Sequence, residues 1–271
     1  MKTIAQYSVT QQLLKQYDLH AKKRFGQNFI IDPSVVQKIA RESGATQESV
    51  CIEIGPGLGA LTQKLSEVAK QVISIEIDDD MVEILQNECQ LDNVEIVHQD
   101  FLEYDLNQLN SAQDIVVCAN VPYYITTPIL FKLIESDLNI RQITLMVQKE
   151  LGQRLVAQVG SKEYNALSIM MATLFDFKTI MNVSKRCFYP SPKVDSVVVG
   201  LIRKPNTHHL DDYFKFVKQS FTQRRKTLVN NLKETIDIVP ALKQLGHSEM
   251  IRPQQLSPDQ FRELYEALYE A

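Results

Sequence analysis

Short apolar runs, separated by stretches with helical spacing, set the pattern of the first two hundred or so residues. Val50–Ile54 is an apolar run closed by Gly55-Pro56-Gly57 and reads as a strand, after which Leu61, Leu65, Val68 and Ala69 recur at helical intervals. Gln71–Ile77 reads as a second strand. It runs into Asp78, Asp79 and Asp80 ahead of Met81, Val82, Ile84 and Leu85, an acidic start suited to the positive end of a helix. Val94–Val97 and Ile115–Ala119 read as the third and fourth strands, followed by a helix over about Pro128–Glu135 and a strand over about Gln142–Val147. Tyr164–Phe175 then reads as a helix, and Lys178–Val183 and Val194–Leu201 as two late strands close enough in sequence to form an antiparallel edge. This alternation predicts an α/β fold on a mainly parallel sheet covered on both faces.

The texture changes after Arg203-Lys204-Pro205. From Leu210 onward the spacing is helical, with turns marked by Pro240, Gly246 and Pro253 and a helix entry at Ser257-Pro258. The expected organisation is a first domain over residues 1–205 and a small all-α C-terminal domain over 206–271.

Composition narrows the class. The chain has 271 residues, 44% apolar and 23% charged, as an ordinary globular protein does. No apolar run approaches the ~18 residues of a membrane span. The N-terminal stretch MKTIAQYSVTQQLLKQYD lacks the apolar core and cleavage site of a secretory signal, so a cytoplasmic location is expected. Cys51, Cys89, Cys118 and Cys187 show no C-x-x-C spacing and no histidine at metal-ligand distance; they read as reduced, buried thiols, and no metal is expected. The adjacent His208 and His209 read as loop residues.

The net charge of −4 argues mildly against a nucleic-acid partner. Basic residues nevertheless cluster at Lys22-Lys23-Arg24 and at Arg224-Arg225-Lys226. Such short runs are more often solvated faces than binding sites, and only context can raise their weight.

Candidate chemistry begins at Glu53-Ile54-Gly55-Pro56-Gly57-Leu58-Gly59, which joins the first strand to the first helix of the alternating pattern. Glycine there allows a sharp turn and a close approach of backbone to ligand. Glu76, at the end of the second strand, is placed to accept hydrogen bonds from ribose hydroxyls. The spacing is G-x-G-x-G, whereas the dinucleotide fingerprint is G-x-G-x-x-G, so the loop suits a nucleoside without pointing to a dinucleotide. Asp100 follows the third strand and could accept a hydrogen bond from an adenine amine, with Phe101 beside the ring. The fourth strand ends in Asn120-Val121-Pro122-Tyr123, an amide, a rigid turn and an aromatic ring.

EIGPGLG, IEID, HQDF and NVPY, in that order, resemble the motifs of S-adenosylmethionine-dependent methyltransferases acting on adenine N6. KKRFGQNFIID (Lys22–Asp32), FYPSPKVDSVVV (Phe188–Val199) and SFTQRRKTLVNNL (Ser220–Leu232) are similar to segments of the small-subunit, KsgA/RsmA-type branch of the rRNA adenine dimethyltransferases. The resemblance runs from about residue 20 to the C-terminus and barely touches residues 1–19. It implies a Rossmann-like class I methyltransferase sheet, S-adenosylmethionine as methyl donor and no metal. It implies cofactor contacts from Asn28, Ile30, Gly55, Gly57, Glu76, Asp100, Phe101 and Asn120, with Phe188 flanking the target base opposite Tyr123. The implied substrate is a pair of adjacent adenosines in a hairpin loop near the 3′ end of 16S rRNA in the 30S subunit or its precursor. A monomer with a role in subunit biogenesis is the family expectation. In that context Lys22, Lys23, Arg24, Arg224, Arg225 and Lys226 read as phosphate contacts, which would position RNA without reading its sequence.

The NVPY stretch then acquires a reason. An adenine amine is a poor nucleophile because its lone pair is delocalised into the ring. Acceptors on both N–H bonds favour a more tetrahedral nitrogen, and the Asn120 side-chain oxygen with the Val121 carbonyl would supply them. Pro122 would stiffen the turn and Tyr123 would stack on the extruded base. Three rivals are weighed against this. An Erm-type large-subunit methyltransferase shares the Asn-x-Pro-Tyr core, but Thr127-Pro128, FYPSPKVDS and the QRRK segment favour the small-subunit branch. A glutamine methyltransferase would carry Asn-Pro-Pro-Tyr. A non-catalytic RNA-binding relative would be expected to have lost Asn120, Tyr123, Glu76 or Asp100, all of which are present.

Overall fold

The computed structural model describes residues 2–22, 26–110, 113–120, 123–155, 157–205 and 210–269. The chain divides into two units, Met1–Gly152 with Phe177–Ile202, and Gln153–Asp176 with Arg203–Ala271.

The first unit opens with α1 (Tyr7–Gln16), β1 (Phe29–Ile30) and α2 (Pro33–Glu42). Strands β2 (Val50–Ile54), β3 (Gln71–Glu76), β4 (Val94–His98) and β5 (Ile115–Ala119) then alternate with α3 (Thr62–Ser66) and α4 (Asp79–Glu88). Next come α5 (Tyr123–Ile134), β6 (Ile140–Gln148) and α6 (Lys149–Leu155). After α7 (Ala166–Leu174), which belongs to the second unit, follow β7 (Phe175–Val183), β8 (Phe188–Tyr189) and β9 (Ser196–Arg203).

Seven strands form the main sheet in the order β4-β3-β2-β5-β6-β9-β7. The pairs β2–β3, β3–β4, β2–β5 and β5–β6 are parallel, and β9 runs antiparallel to β6. Every residue of β2 and β5 is buried, which is why these strands read as apolar runs, broken only by Glu53, and not as alternating ones. Strand order reverses between β2 and β5, so the loops leaving their carboxyl ends diverge and open a crevice. A separate ribbon pairs β1 with β8, Phe29 opposite Tyr189 and Ile30 opposite Phe188. The helix starts follow local chemistry: Asp32 caps α2 by accepting from Ser34 N at 2.9 Å, and Asp78 caps α4 by accepting from Asp80 N at 3.2 Å.

Helix α5 begins at Tyr123, upstream of the expected start near Pro128, and carries Pro128 inside it. Proline there forfeits one hydrogen bond, to the carbonyl of residue 124, because its ring nitrogen carries no hydrogen.

The second unit adds α8 (Asp211–Ser220), α9 (Leu228–Leu232), α10 (Val239–Gln244) and α11 (Pro258–Tyr269). Helix α7, which the sequence pattern puts within residues 1–205, belongs to this unit. Its buried residues, among them Leu167, Ile169, Met170, Met171 and Leu174, fall on more than one side, so it needs partners on several faces and packs on both α8 and α11. Aromatic rings fill this small core. Phe216 meets Phe261 edge-on at 6.3 Å, and Tyr213 meets Tyr265 at 5.4 Å.

Gly59 illustrates how tightly the glycine loop is built. Its φ is +86°, and a Cβ there would lie 2.8 Å from Leu85 Cδ2 on α4. Gly59→Ala is expected to lower stability by about 1–3 kcal/mol through left-handed strain and overpacking. A urea unfolding midpoint indistinguishable from that of the parent protein would contradict this.

Candidate active site

The carboxyl ends of β4, β3, β2 and β5 meet at a cavity of about 730 Å³, within the range that holds small-molecule ligands. The strand register explains the convergence. Ile54 pairs with both Ile75 and Ala119, so Gly55, Glu76 and Asn120 leave the sheet side by side, and Glu76 pairs in turn with His98 just before Asp100. Gly55, Gly57, Glu76, Asp100, Phe101 and Asn120 all line the cavity, as do Asn28, Ile30 and Phe188 from the β1–β8 ribbon and its approach.

Glu76 is 6% exposed and held rigidly. Its Oε2 accepts from Gly57 N at 3.0 Å, and its Oε1 accepts from Ile77 N at 2.9 Å and Asp78 N at 3.0 Å. Three of about four lone-pair positions are thus committed to backbone, which fixes the carboxylate while leaving capacity for a ligand hydroxyl. Burial raises its pKa, and the backbone amides oppose that shift. Ile77, next in sequence, lines the cavity while remaining 45% exposed, an apolar shelf beside the acid.

Asp100 accepts from Leu102 N at 2.8 Å, a turn that keeps its carboxylate at the cavity wall. Phe101 is 4% exposed, with Lys132 Nζ 5.6 Å from its ring centroid. Asn28 donates its side-chain amide to Gly26 O at 2.9 Å, and Gly57 approaches the Phe29 ring so closely that a Cβ would lie 3.4 Å from it. Phe188 is 4% exposed and packs into the apolar core while also forming part of the wall. Val121 and Pro122 lie outside the described residues, as does the Tyr123 side chain.

Glu53 is the site residue whose role sequence reasoning missed, although an acid inside the apolar run VCIEI was a visible signal. It lines the cavity at 1% exposure and accepts at Oε2 from Thr62 Oγ1 and Ser74 Oγ, each at 2.7 Å. Burial raises its pKa to about 7; the two hydroxyls pull it down and nearby Glu76 pushes it further up. Ile4 and Thr10, in the N-terminal segment outside the recognised motifs, also line the cavity.

The basic clusters divide. Arg224, Arg225 and Lys226 are exposed on the second unit, where Arg224 donates to Ser161 O at 2.8 Å and to Lys162 O. Lys22 is not on an open face: its ammonium lies 2.5 Å from Asp78 Oδ1 and also contacts Asp80. Lys23 and Arg24 lie outside the described residues, as do His208 and His209. Cys51, Cys89 and Cys118 are buried, Cys187 is half-buried, and all are free thiols. Among the described residues no cluster of His, Cys, Asp or Glu could hold a metal ion, and no helix is long and apolar enough to cross a membrane.

Glu53 makes a pH prediction. Its carboxyl titrates near 4.5 when unfolded and about 7 when folded, so the folded state holds the extra proton between those values. Glu53 therefore favours the fold at low pH and loses that contribution as pH rises through 7, by up to about 3 kcal/mol. Glu53→Gln is expected to flatten the stability profile between pH 5 and 7, read from urea midpoints relative to the parent. Parallel profiles for the two proteins would contradict the assignment.

The donor set suits S-adenosylmethionine: a buried carboxylate for a ribose hydroxyl, a second carboxylate with an aromatic neighbour for adenine, and a glycine loop that lets backbone approach. A family model described as ribosomal RNA adenine dimethylase matches residues 18–268. The chain is 40% identical to ribosomal RNA small subunit methyltransferase A of Bacillus mycoides, with 99% of this chain and 98% of that protein covered. The B. cereus protein of the same name gives the same identity and coverage. Among solved structures, a dimethyladenosine transferase from Plasmodium falciparum superposes with a TM-score of 0.74 at 28% identity, covering 87% of this chain and 95% of that one. The 23S rRNA methyltransferase ErmE superposes with a TM-score of 0.68 at 26% identity, covering 89% and 99%. With the cavity at the strand ends, these matches establish that the chain belongs to the ribosomal RNA adenine dimethylase family, S-adenosylmethionine-dependent enzymes that methylate adenine N6.

Proposed function

We propose that this rRNA adenine dimethyltransferase converts two adjacent adenosines, in the hairpin loop near the 3′ end of 16S rRNA, to N6,N6-dimethyladenosine. The substrate is the 30S subunit or its precursor in the cytoplasm, the enzyme acts as a monomer, and the modification belongs to small-subunit biogenesis. The observation that carries the reading is the convergence of Glu76, Asp100 and Asn120 on one cavity: a nucleoside end and a reacting end share one space. Identity of 40% along the whole chain to small-subunit enzymes, against 26% to ErmE, supports the small-subunit target over the large.

Bound S-adenosylmethionine supplies the reaction's electrophile, a methyl group on a sulfonium. The chain's own residues align and restrain. Glu76 takes a ribose hydroxyl, with its carboxylate fixed by Gly57, Ile77 and Asp78 amides. Asp100 accepts from the adenine amine of the donor, and Phe101 backs the ring. At the β5 end, Asn120 Oδ1 would accept one N–H of the target amine, with the Val121 carbonyl the motif's second acceptor, which would turn the nitrogen lone pair toward the methyl group. Phe188, in the cavity wall, would flank the extruded base, with the family's stacking role for Tyr123 carried over from the motif alone. The base leaves its stack at a cost of about a few kcal/mol, least in a loop where pairing is already absent. After attack the nitrogen is acidic, and its proton leaves to water. Arg224, Arg225 and Lys226 contact phosphate and make binding salt-dependent.

Asn120→Ala is expected to lower methyl transfer by roughly 10²–10³, by analogy with loss of an oriented polar group elsewhere. Near-normal turnover by a folded variant would remove the assignment. The target is tested by incubating the protein and labelled S-adenosylmethionine with unmethylated small subunits or with protein-free large-subunit rRNA, then digesting the RNA for mass spectrometry. Dimethyladenosine at two adjacent positions of the small-subunit RNA is the expected result. Label confined to large-subunit RNA would overturn the proposal in favour of an ErmE-like target.

A further inference from the structure

Lys22 opens a basic run that resembles an RNA contact, yet its ammonium faces inward. Asp78, 2% exposed, is the centre of a closed circuit. Its Oδ1 accepts from Lys22 Nζ at 2.5 Å, and its Oδ2 accepts from Gln27 Nε2 at 2.6 Å. Gln27 Oε1 in turn accepts the Lys22 backbone N–H at 2.8 Å, so backbone and side chain of Lys22 both end on the same pair. The circuit continues into the site: Asp78 N donates to Glu76 Oε1 at 3.0 Å. Gly26, Gln27 and Asn28 line the cavity, and Lys22 does not.

We propose that Lys22 is a positioning residue for the methyl-donor site, locking Gln27 and Asp78 together so that the Gly26–Asn28 wall and the Glu76 carboxylate keep their places. The inference rests on the reading that Glu76 takes the donor's ribose. The physical reason is charge. Glu76 and Asp78 are buried carboxylates close in sequence, with Asp80 adjacent, and such a group is tolerated only when paired and hydrogen-bonded. Lys22 supplies the countercharge to Asp78 and Asp80. Swinging its ammonium out to a phosphate would strip the buried Asp78 carboxylate of its cation, which leaves a charge inside without a partner. Removing the ammonium leaves negative charge uncompensated beside Glu76 and frees the wall segment from α4.

The test separates a donor-site role from an RNA role. S-adenosylhomocysteine is titrated calorimetrically, without RNA, into the parent protein and into Lys22→Met, Lys22→Arg and Glu76→Gln. Methylation of unmethylated small subunits gives KM for each substrate. Lys22→Met is expected to weaken S-adenosylhomocysteine by about tenfold or more, the factor that loss of a charged hydrogen bond of 1.4 kcal/mol gives. KM for S-adenosylmethionine should rise in step, with kcat at saturation and KM for subunits within about twofold, and Lys22→Arg should restore most of the affinity. Lys22→Gln, which keeps donors without charge, replaces Lys22→Met if that protein does not fold. Unchanged S-adenosylhomocysteine affinity in the folded variant, together with weaker subunit binding whose salt dependence drops by about one phosphate contact, would overturn the inference and return Lys22 to the RNA. If Glu76→Gln also leaves affinity unchanged, the ribose assignment itself fails; if it weakens binding and Lys22→Met does not, only the positioning role fails.

Discussion

The parallel pairing of β2 with β5, at the point where strand order reverses, is the constraint on which the site depends. Both strands are buried along their whole length and share a fixed register, Val50 with Ile115 through Ile54 with Ala119. That register decides that the glycine loop and Asn120 emerge together. A slip of one residue in either strand would turn every side chain to the opposite face and separate the two ends of the reaction. Chemistry at this site is therefore a consequence of sheet pairing before it is a property of any single residue.

Around that point the chain gathers buried carboxylates, Glu53, Glu76 and Asp78, in a region where burial disfavours charge. Each is handled differently. Hydroxyls of Thr62 and Ser74 meet Glu53, backbone amides meet Glu76, and a lysine with a glutamine amide meets Asp78. Proximity of Glu53 and Glu76 raises the former's pKa, which burial has already raised. S-adenosylmethionine is a cation with a ribose diol and an amine, and the acceptor capacity left on a fixed carboxylate such as Glu76 is what such a ligand needs.

Much of this was legible in the sequence, for identifiable reasons. Strands β2 and β5 announce themselves because a strand buried on both faces is almost wholly apolar, and the Gly-Pro-Gly and Asn-Val-Pro interruptions mark their ends. Glu76 and Asp100 follow from their positions after strands. What escaped depends on distant partners. The direction of the Lys22 side chain is set by Asp78, fifty-six positions away. Helix α7 groups with α8 and α11 because of faces that only packing reveals. The start of α5 at Tyr123 runs against a local proline signal, because Pro128 sits inside the helix at the cost of one backbone hydrogen bond. Glu53 stood in plain view as an acid in an apolar strand, but its purpose required knowing that Thr62 and Ser74 close over it.

The most direct measurement is a crystal structure of the protein with S-adenosylhomocysteine. The ribose hydroxyls are expected within hydrogen-bonding distance of Glu76, the adenine amine at Asp100, and the sulfur facing Asn120 at the end of β5. A ligand seated elsewhere, or one whose ribose turns away from Glu76 in the same cavity, would contradict this arrangement.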